Sequence, residues 1–137
     1  NHSLWFGNAA TETYEDPGYA VAGWATSTEV SLFPGLSASL DLWAYLDVEA
    51  FSASLPTDRF EVIVVPNFGA PVVVWDKGDL IPDDMGSWVN ITADLSEFAG
   101  QVVSIRVEFD SHDSQLNSSG GVFVDEIQVI QGCAELD

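Results

Sequence analysis

Apolar and polar residues alternate with a period of two over much of this chain, which is the pattern of β-strands buried on one side. The longest such run spans residues 36–48. One of its faces is apolar and consists of Leu40, Leu42, Ala44, Leu46 and Val48. The other face combines aromatic and acidic side chains, namely Asp41, Trp43, Tyr45, Asp47 and Glu49. This pattern predicts a long strand whose exposed side is both aromatic and acidic.

The C-terminal third contains two further alternating runs, residues 102–109 and 122–130, joined by a polar loop over 110–121. Asp125 and Glu126 lie inside the second run. Aspartate is unfavourable in the interior of a strand, so we expect Asp125 to face either a bound cation or solvent. A loop rich in oxygen atoms beside these carboxylates predicts a binding site rather than a catalytic one.

Shorter apolar runs, separated by Gly, Pro, Asn, Asp and Ser clusters, predict the remaining strands. These are residues 4–6, 19–24, 28–32, 60–65 and 72–75, with one more near Trp88. Residues 60–65 and 72–75 are expected to form a hairpin. The best helical signal is a single turn over 94–100, with Asp94 as cap and Gly100 as stop. The chain is therefore predicted to be an all-β sandwich of two antiparallel sheets.

The acidic composition narrows the possible partners. Among 137 residues, 22 acids against three basic residues give a formal net charge of −19. Such a surface repels nucleic-acid phosphates and anionic lipid headgroups, and it attracts cations. Adaptation to salt and binding of cations both explain this charge. No apolar run approaches the ~20 residues of a membrane-spanning helix, so no membrane insertion is predicted.

One domain is expected over residues 1–130, and residues 131–137 are expected to begin a connection to a following module. Cys133 is the single cysteine, which excludes a disulfide within the chain. A bridge to another module and a free thiol both remain open. Because the chain begins at Asn1 without Met, we expect a mature or excised domain of a larger, secreted protein.

Several motifs in a fixed order carry a resemblance to a known group of domains. They are Trp88, Asp94-Leu95-Ser96, Ala99-Gly100-Gln101, Ile105-Arg106-Val107, Asp110 and Gly121-Val122-Phe123-Val124-Asp125-Glu126-Ile127, with Trp5-Phe6-Gly7, Tyr14, Leu42-Trp43 and Asp58 upstream. This order resembles the MAM-like jelly-roll modules of secreted bacterial proteins, as in the C-terminal modules of immune-inhibitor-A-type metallopeptidases and in cleaved-adhesin domains. The chain departs from the pattern at Glu126, where a second Asp is common, and at Trp24, where an aliphatic residue is usual.

The resemblance implies a jelly-roll sandwich that acts as a non-catalytic accessory module, stabilised by calcium and adhering to glycans or proteins outside the cell. It also implies that Trp5, Trp75 and Trp88 are core or structural residues.

Calcium is the cofactor that the residues themselves favour, because it binds six to eight oxygen ligands brought together by loops. The candidate ligands are Asp110, Asp113, Asn117 and Asp125 around the C-terminal loop, with Asn8 or Glu12 from the loop after the first strand. By resemblance, Glu49 and Asp58 could belong to the same site or to a separate one. The spacing does not match an EF-hand.

Carbohydrate is the ligand that the aromatic residues favour, because ring faces stack on sugar rings and carboxylates accept hydroxyl hydrogen bonds. Trp43, Tyr45 and Asp47 share one face of their strand, and Trp24 is a further candidate. Packing in the core is the alternative role for each aromatic ring. The negative charge favours a neutral or cationic glycan over a polyanionic one.

Catalysis is not expected. His2 and His112 are the only histidines, no HExxH motif occurs, and no nucleophile elbow surrounds a serine. The sequence is therefore interpreted as a calcium-stabilised, lectin-like module of a secreted or cell-surface protein. The alternative is a structural or protein-adhesion domain of a larger extracellular protein without sugar binding.

Overall fold

The computed structural model describes residues 2–14, 19–48, 58–79, 86–111 and 120–132, with the side chain of residue 79 left out. This part of the chain forms nine strands: β1 (Leu4–Phe6), β2 (Ala22–Thr26), β3 (Val30–Ser31), β4 (Ala38–Asp47), β5 (Arg59–Pro66), β6 (Val72–Asp76), β7 (Trp88–Asp94), β8 (Val102–Asp110) and β9 (Gly121–Gln131). Short 3-10 helices occupy Lys77–Asp79 and Ser96–Phe98. No helix within these ranges is long and apolar enough to cross a membrane.

The strands form two antiparallel sheets. One has the order β1-β9-β4-β7, and the other has the order β2-β8-β5-β6 with β3 also paired to β8. Between β2 and β3 the chain stays bound to β8, because Ser27 N donates to Ile105 O (2.8 Å) and Ile105 N donates to Ser27 Oγ (2.9 Å). When β2 and β3 are counted as one interrupted strand, the orders become 1-8-3-6 and 2-7-4-5. This is the eight-stranded jelly roll, so the predicted fold class is confirmed.

The core lies between the two sheets and follows the predicted alternation. The apolar face of β4, from Leu40 to Leu46, is fully buried, and Val48 just beyond the strand is 8% exposed. The opposite sheet contributes Val103, Ile105, Val107 and Phe109 from β8. Phe109 is the centre of an aromatic cluster, since the rings of Phe6 and Tyr14 both pack 5.3 Å from it. The faces assigned from the period of two are those observed.

Two predicted strands are shorter than their sequence patterns indicated. The strand expected over 19–24 begins at Ala22, and the one expected over 28–32 is reduced to Val30–Ser31. The hairpin of β5 and β6 forms as predicted, with a register shift between Val62 and Ile63. The last strand continues to Gln131, one residue beyond the expected domain limit at 130.

The predicted helical turn is a 3-10 helix that follows β7. Its N-cap position is Leu95 rather than Asp94, but Asp94 Oδ1 accepts the Ser96 N–H (2.9 Å). Hydrogen bonds from the side chain and backbone of Ser96 lower the pKa of Asp94, because they stabilise its charged form. Gly100 follows with φ of +83°, a left-handed conformation that glycine adopts without strain.

Candidate functional site

An aromatic row crosses the outer face of the four-stranded sheet. Cross-strand pairing places Trp5 opposite Phe123, Phe123 opposite Tyr45, and Tyr45 opposite Trp88. Neighbouring rings are in contact, with centroids 5.9 Å apart for Trp5 and Phe123, 6.1 Å for Phe123 and Tyr45, and 5.7 Å for Tyr45 and Trp88. One ring from each of the four strands therefore forms a continuous surface, called here the aromatic row.

Trp5 is held at the end of this row by three contacts. Its indole stacks on Phe123 with an interplanar angle of 9°, and its Nε1 donates to Gly120 O (2.8 Å). The ring also lies against Gly7, where an added Cβ would fall 2.2–2.4 Å from three indole atoms. A glycine is needed at position 7 because only a residue without a Cβ admits the ring so close to the backbone.

Asp47 supports the same end of the row. Its Oδ2 accepts the Gly120 N–H (2.8 Å), while Gly120 O accepts from Trp5. Gly121 follows with φ of +101°, and a Cβ there would fall against Phe6 O. Asp47, which was predicted to contact a ligand, thus fixes the backbone that anchors Trp5.

A second row lies next to the aromatic one and contains a pocket. Trp43 is paired with Asn90 on one side and with Asp125 on the other. A cavity of about 210 Å³, called here the tryptophan pocket, is lined by Trp43, Trp88, Asp125 and Glu126. Its two tryptophans keep 39% and 46% of their surface exposed, so the indole rings are open to a ligand.

A β-bulge brings the second carboxylate, that of Glu126, to this pocket. Asp41 pairs with Gln128 and Trp43 pairs with Asp125, so Leu42 alone stands opposite Glu126 and Ile127. Glu126 has φ of +53°, and Asp125 Oδ1 accepts its N–H (2.8 Å). Successive residues of a regular strand point to opposite faces, and the bulge breaks this alternation.

A groove of about 510 Å³, called here the hydroxyl groove, occupies the far end of the same face. It is lined mainly by small and hydroxyl-bearing residues: Ser37, Ala38, Ser39, Thr92, Ala93, Asp94, Ser96, Ile130 and Gly132. Between this groove and the tryptophan pocket, Asn90 Nδ2 donates to Asp41 Oδ1 (2.6 Å) and to Leu42 O (3.1 Å). Aromatic surface and hydrogen-bonding groups therefore follow one another along a single sheet.

The basic residues of the chain are all associated with the other sheet. Arg59 lies on β5, Arg106 on β8, and Lys77 directly after β6. Arg59 Nε is 2.8 Å from Glu61 Oε1, and Arg106 Nε is 3.5 Å from Glu108 Oε2. The strands of the four-stranded sheet contain no Lys or Arg, so their outer face is purely acidic in charge.

The structure separates two of the predicted metal ligands. Asp110 ends β8 on the outer side of the five-stranded sheet, where it lies 4.0 Å from Arg59 Nη2. Asp125 lies on the outer side of the other sheet, beside Trp43. Because the core lies between them, these two carboxylates cannot bind one ion together.

Apart from Asp58, the structure describes only two of the remaining predicted ligands, Asn8 and Glu12. Asn8 and Glu12 are exposed in the loop after β1, where Asn8 Oδ1 accepts the Ala10 N–H (2.9 Å). Glu49, Asp113 and Asn117 lie outside the described residues. Among the residues that are described, no group of three or more His, Cys, Asp or Glu side chains could hold a metal ion. Calcium binding stays a prediction.

Asp58 is a buried polar residue that, like Ser111, lies near one end of the sandwich. It is 1% exposed and accepts a hydrogen bond from the Tyr14 hydroxyl (2.5 Å). Nearby in the fold, the buried Ser111 makes two hydrogen bonds with Val21. Ser111 N donates to Val21 O (2.8 Å), and Val21 N donates to Ser111 Oγ (2.8 Å). These bonds fix the start of β2 to the end of β8.

Besides Trp43, three tryptophans are exposed on the outer faces of the sandwich. The resemblance implies a core or structural role for Trp5 and Trp88, and both belong to the aromatic row, where they are 38% and 46% exposed. Trp24 is 65% exposed but lies on β2, opposite Glu108, on the outer side of the other sheet. Trp43 and Tyr45 lie instead on β4 of the four-stranded sheet. Phe123 was not recognised as a site residue, although its position between Val122 and Val124 places it on the outer face.

Fold and site together define a jelly-roll sandwich with an aromatic and acidic outer face. No protein-family model matches this chain, and no curated protein matches its sequence.

Proposed function

We propose that this protein is a non-catalytic carbohydrate-binding module whose ligand lies on the outer face of the four-stranded sheet. The observation that carries the proposal is the aromatic row, in which Trp5, Phe123, Tyr45 and Trp88 continue from strand to strand. Large exposed rings are unfavourable in water unless a ligand covers them, so a row of them is typical of a binding surface.

The chemistry of this face suits a sugar ligand. Ring faces carry partial negative charge and stack against the C–H groups of a pyranose, which are weakly positive. Carboxylates such as Asp41 and Asp125, and the hydroxyls of Ser39 and Thr92, can accept hydrogen bonds from sugar hydroxyls. A surface with both kinds of group can stack its aromatic rings on the faces of a sugar ring and accept hydrogen bonds from the hydroxyls at the edge of that ring.

The size of the face indicates an oligosaccharide rather than a single sugar. Four strands are three strand spacings wide, or about 14 Å between Trp5 and Trp88. The outward positions of β4, from Ser39 to Asp47, cover about 27 Å along the strand. A ligand of several sugar units could contact the aromatic row, the tryptophan pocket and the hydroxyl groove at once.

Calcium and an extracellular location complete this proposal. The net charge of −19 and the carboxylates of the loops support a role for Ca²⁺ in fixing loop geometry. The resemblance to modules of secreted proteins supports action outside the cell or at its surface.

Titration with soluble glycans tests the proposal. Tryptophan fluorescence should shift or be quenched by one class of glycan, because three of the five tryptophans lie on the proposed face. Trp43→Ala and Trp88→Ala should each weaken binding about tenfold or more, since each removes a stacking ring. Trp24→Ala is the matched control, because it removes an exposed tryptophan from the other sheet.

Two results would contradict the proposal. One is a flat response across neutral and cationic glycans, with the circular dichroism of a folded β protein. The other is a loss of affinity in Trp24→Ala that equals the loss in Trp43→Ala. Either result would favour the alternative function, a structural or protein-adhesion domain that uses the same exposed rings to contact a protein.

A further inference from the structure

We infer that the tryptophan pocket binds a protonated amine, so that the glycan recognised by this face is one that carries free amino groups. This inference rests on the proposed function and adds the chemical class of the ligand. Two open indole rings and two carboxylates line the same cavity of about 210 Å³, and they belong to Trp43, Trp88, Asp125 and Glu126.

The two tryptophans supply the walls that an ammonium group requires. A cation over the face of an indole ring is attracted by the ring quadrupole, and Trp is the strongest of the aromatic residues in this respect. Recognition of organic ammonium groups by aromatic cages uses this attraction. Trp43 and Trp88 come from neighbouring strands, β4 and β7, and both remain more than one-third exposed.

The two carboxylates supply the acceptors. An amine that is protonated donates three hydrogen bonds, and each ionised carboxylate accepts about four. Asp125 Oδ1 accepts one bond from the Glu126 N–H, which leaves most of its capacity for a ligand. The side chain of Glu126 is exposed at the pocket. Aromatic walls with acidic acceptors thus match both the charge and the N–H groups of an amine.

A metal ion fits this pocket less well than an amine does. Calcium needs six to eight oxygen ligands, and two sides of the cavity are indole rings that offer none. A sulfated or uronic glycan is excluded by charge, because no Lys or Arg lies on the strands of this sheet. The remaining fit for an acidic aromatic cavity is an organic cation.

The bulge gives this pocket the second of its carboxylates, that of Glu126. In a regular strand Glu126 would point away from the face that carries Asp125. The bulge leaves the pair Glu126 and Ile127 opposite Leu42 and lets both acids line the same cavity. Bulges that redirect a side chain are common at binding sites, and the positive φ of Glu126 is a conformation that a non-glycine residue rarely adopts.

Binding of matched oligosaccharides tests the inference. Calorimetry would compare β-1,4-linked oligomers of glucosamine, of N-acetylglucosamine and of glucose, at equal length and at a constant salt concentration near physiological. The glucosamine oligomer should bind roughly tenfold more tightly than the other two. With Asp125→Asn and with Glu126→Gln, the glucosamine oligomer should bind no more tightly than the glucose oligomer measured on the same variant. Asp125→Asn keeps the acceptor that binds the Glu126 N–H, so the bulge is retained.

Glu29→Gln is the control for charge alone. Glu29 is exposed in the segment between β2 and β3 on the other sheet, and its substitution removes the same single charge from the molecule. The Glu29→Gln variant should prefer the glucosamine oligomer to the same degree as the unchanged protein does. A preference that falls equally in Glu29→Gln and Glu126→Gln would overturn the inference, because attraction to the net charge would then explain it.

The other outcomes separate the inference from the proposed function. Equal affinity for the three oligomers would overturn the amine site while the carbohydrate-binding function stood. Absence of binding to all three, and to the wider glycan panel, would overturn both.

Discussion

Gly7→Ala is the substitution whose effect can be worked out most directly from this structure. A Cβ at position 7 would lie 2.2 Å from Trp5 Cε2, whereas ordinary contact begins at 3.4 Å. The indole must therefore move by about 1.2 Å, which is the difference between these distances. The backbone at Gly7 is not in the left-handed region, so the alanine itself introduces no conformational strain.

The cost of this movement is the loss of the contacts that hold Trp5. The hydrogen bond from Nε1 to Gly120 O contributes about 0.5–1.5 kcal/mol, and the stacked pair with Phe123 contributes a similar amount. The expected cost of the clash is therefore about 1–3 kcal/mol. Alanine also restricts the unfolded chain more than glycine does, and this stabilises the protein by about 0.4–1 kcal/mol.

A double-mutant cycle isolates the clash from the backbone effect. Urea unfolding, followed by far-UV circular dichroism, would compare Gly7→Ala in the unchanged protein and in Trp5→Ala. The substitution should destabilise the first and be neutral or slightly stabilising in the second, with a coupling energy of about 1–3 kcal/mol. An equal effect in both backgrounds would refute the close packing of Trp5 on Gly7. If the aromatic row binds glycan, Gly7→Ala should also weaken glycan binding.

Three further predictions concern the core, the helical turn and the loops. Phe109→Ala removes a fully buried ring that contacts Phe6 and Tyr14, and chemical unfolding should show a loss of about 3–5 kcal/mol; a loss under about 1 kcal/mol would contradict the packing. The pKa of Asp94 is lowered in the folded state, so its charge stabilises the fold above the unfolded pKa of about 3.8, and this contribution is lost as pH falls through the lowered pKa. Asp94→Asn should accordingly be less stable than the unchanged protein at neutral pH and equal to it in strong acid, and a difference that persists in acid would show that the charge is not responsible. Calcium at about 100 times its dissociation constant should add about 2.7 kcal/mol and raise the melting temperature by several degrees relative to excess chelator, with magnesium as control, and an unchanged transition would exclude calcium as a stabilising ligand.

Strand positions and buried faces were predictable from the sequence because they depend on a local pattern. The alternation over β4 and β8 has the period of two, and each buried residue of those strands is one that the pattern selects. The short strands were predicted less well. With two residues in β3, no period can be read, and its pairing is decided by contacts with β8 that are distant in sequence.

The candidate site was predictable only along one strand. Trp43 and Tyr45 share the outer face of β4, as their spacing indicated. The ring surface around them depends on register, because Trp5, Phe123 and Trp88 join it through pairing of β1, β9 and β7. Strand register is a tertiary property, and the three residues of β1 offer no alternation from which to assign Trp5 to a face. The bulge at Glu126 is likewise invisible in a regular alternating pattern.

The hydrogen bond from Trp5 to Gly120 joins residues 115 positions apart, and this has a consequence for how the protein folds. During synthesis at roughly 5–20 residues per second, β1 emerges about 6–23 seconds before the strand that pairs with it. In the sheet, β9 lies between β1 and β4 and pairs with both. Neither β1 nor β4 can therefore complete its pairing until β9 has been synthesised. Sandwiches built from such distant strand pairs also fold slowly, in milliseconds to seconds. The nascent chain must therefore hold Leu4, Trp5 and Phe6 in water throughout its elongation, and the mutual repulsion of its acidic residues keeps neighbouring chains apart during that interval.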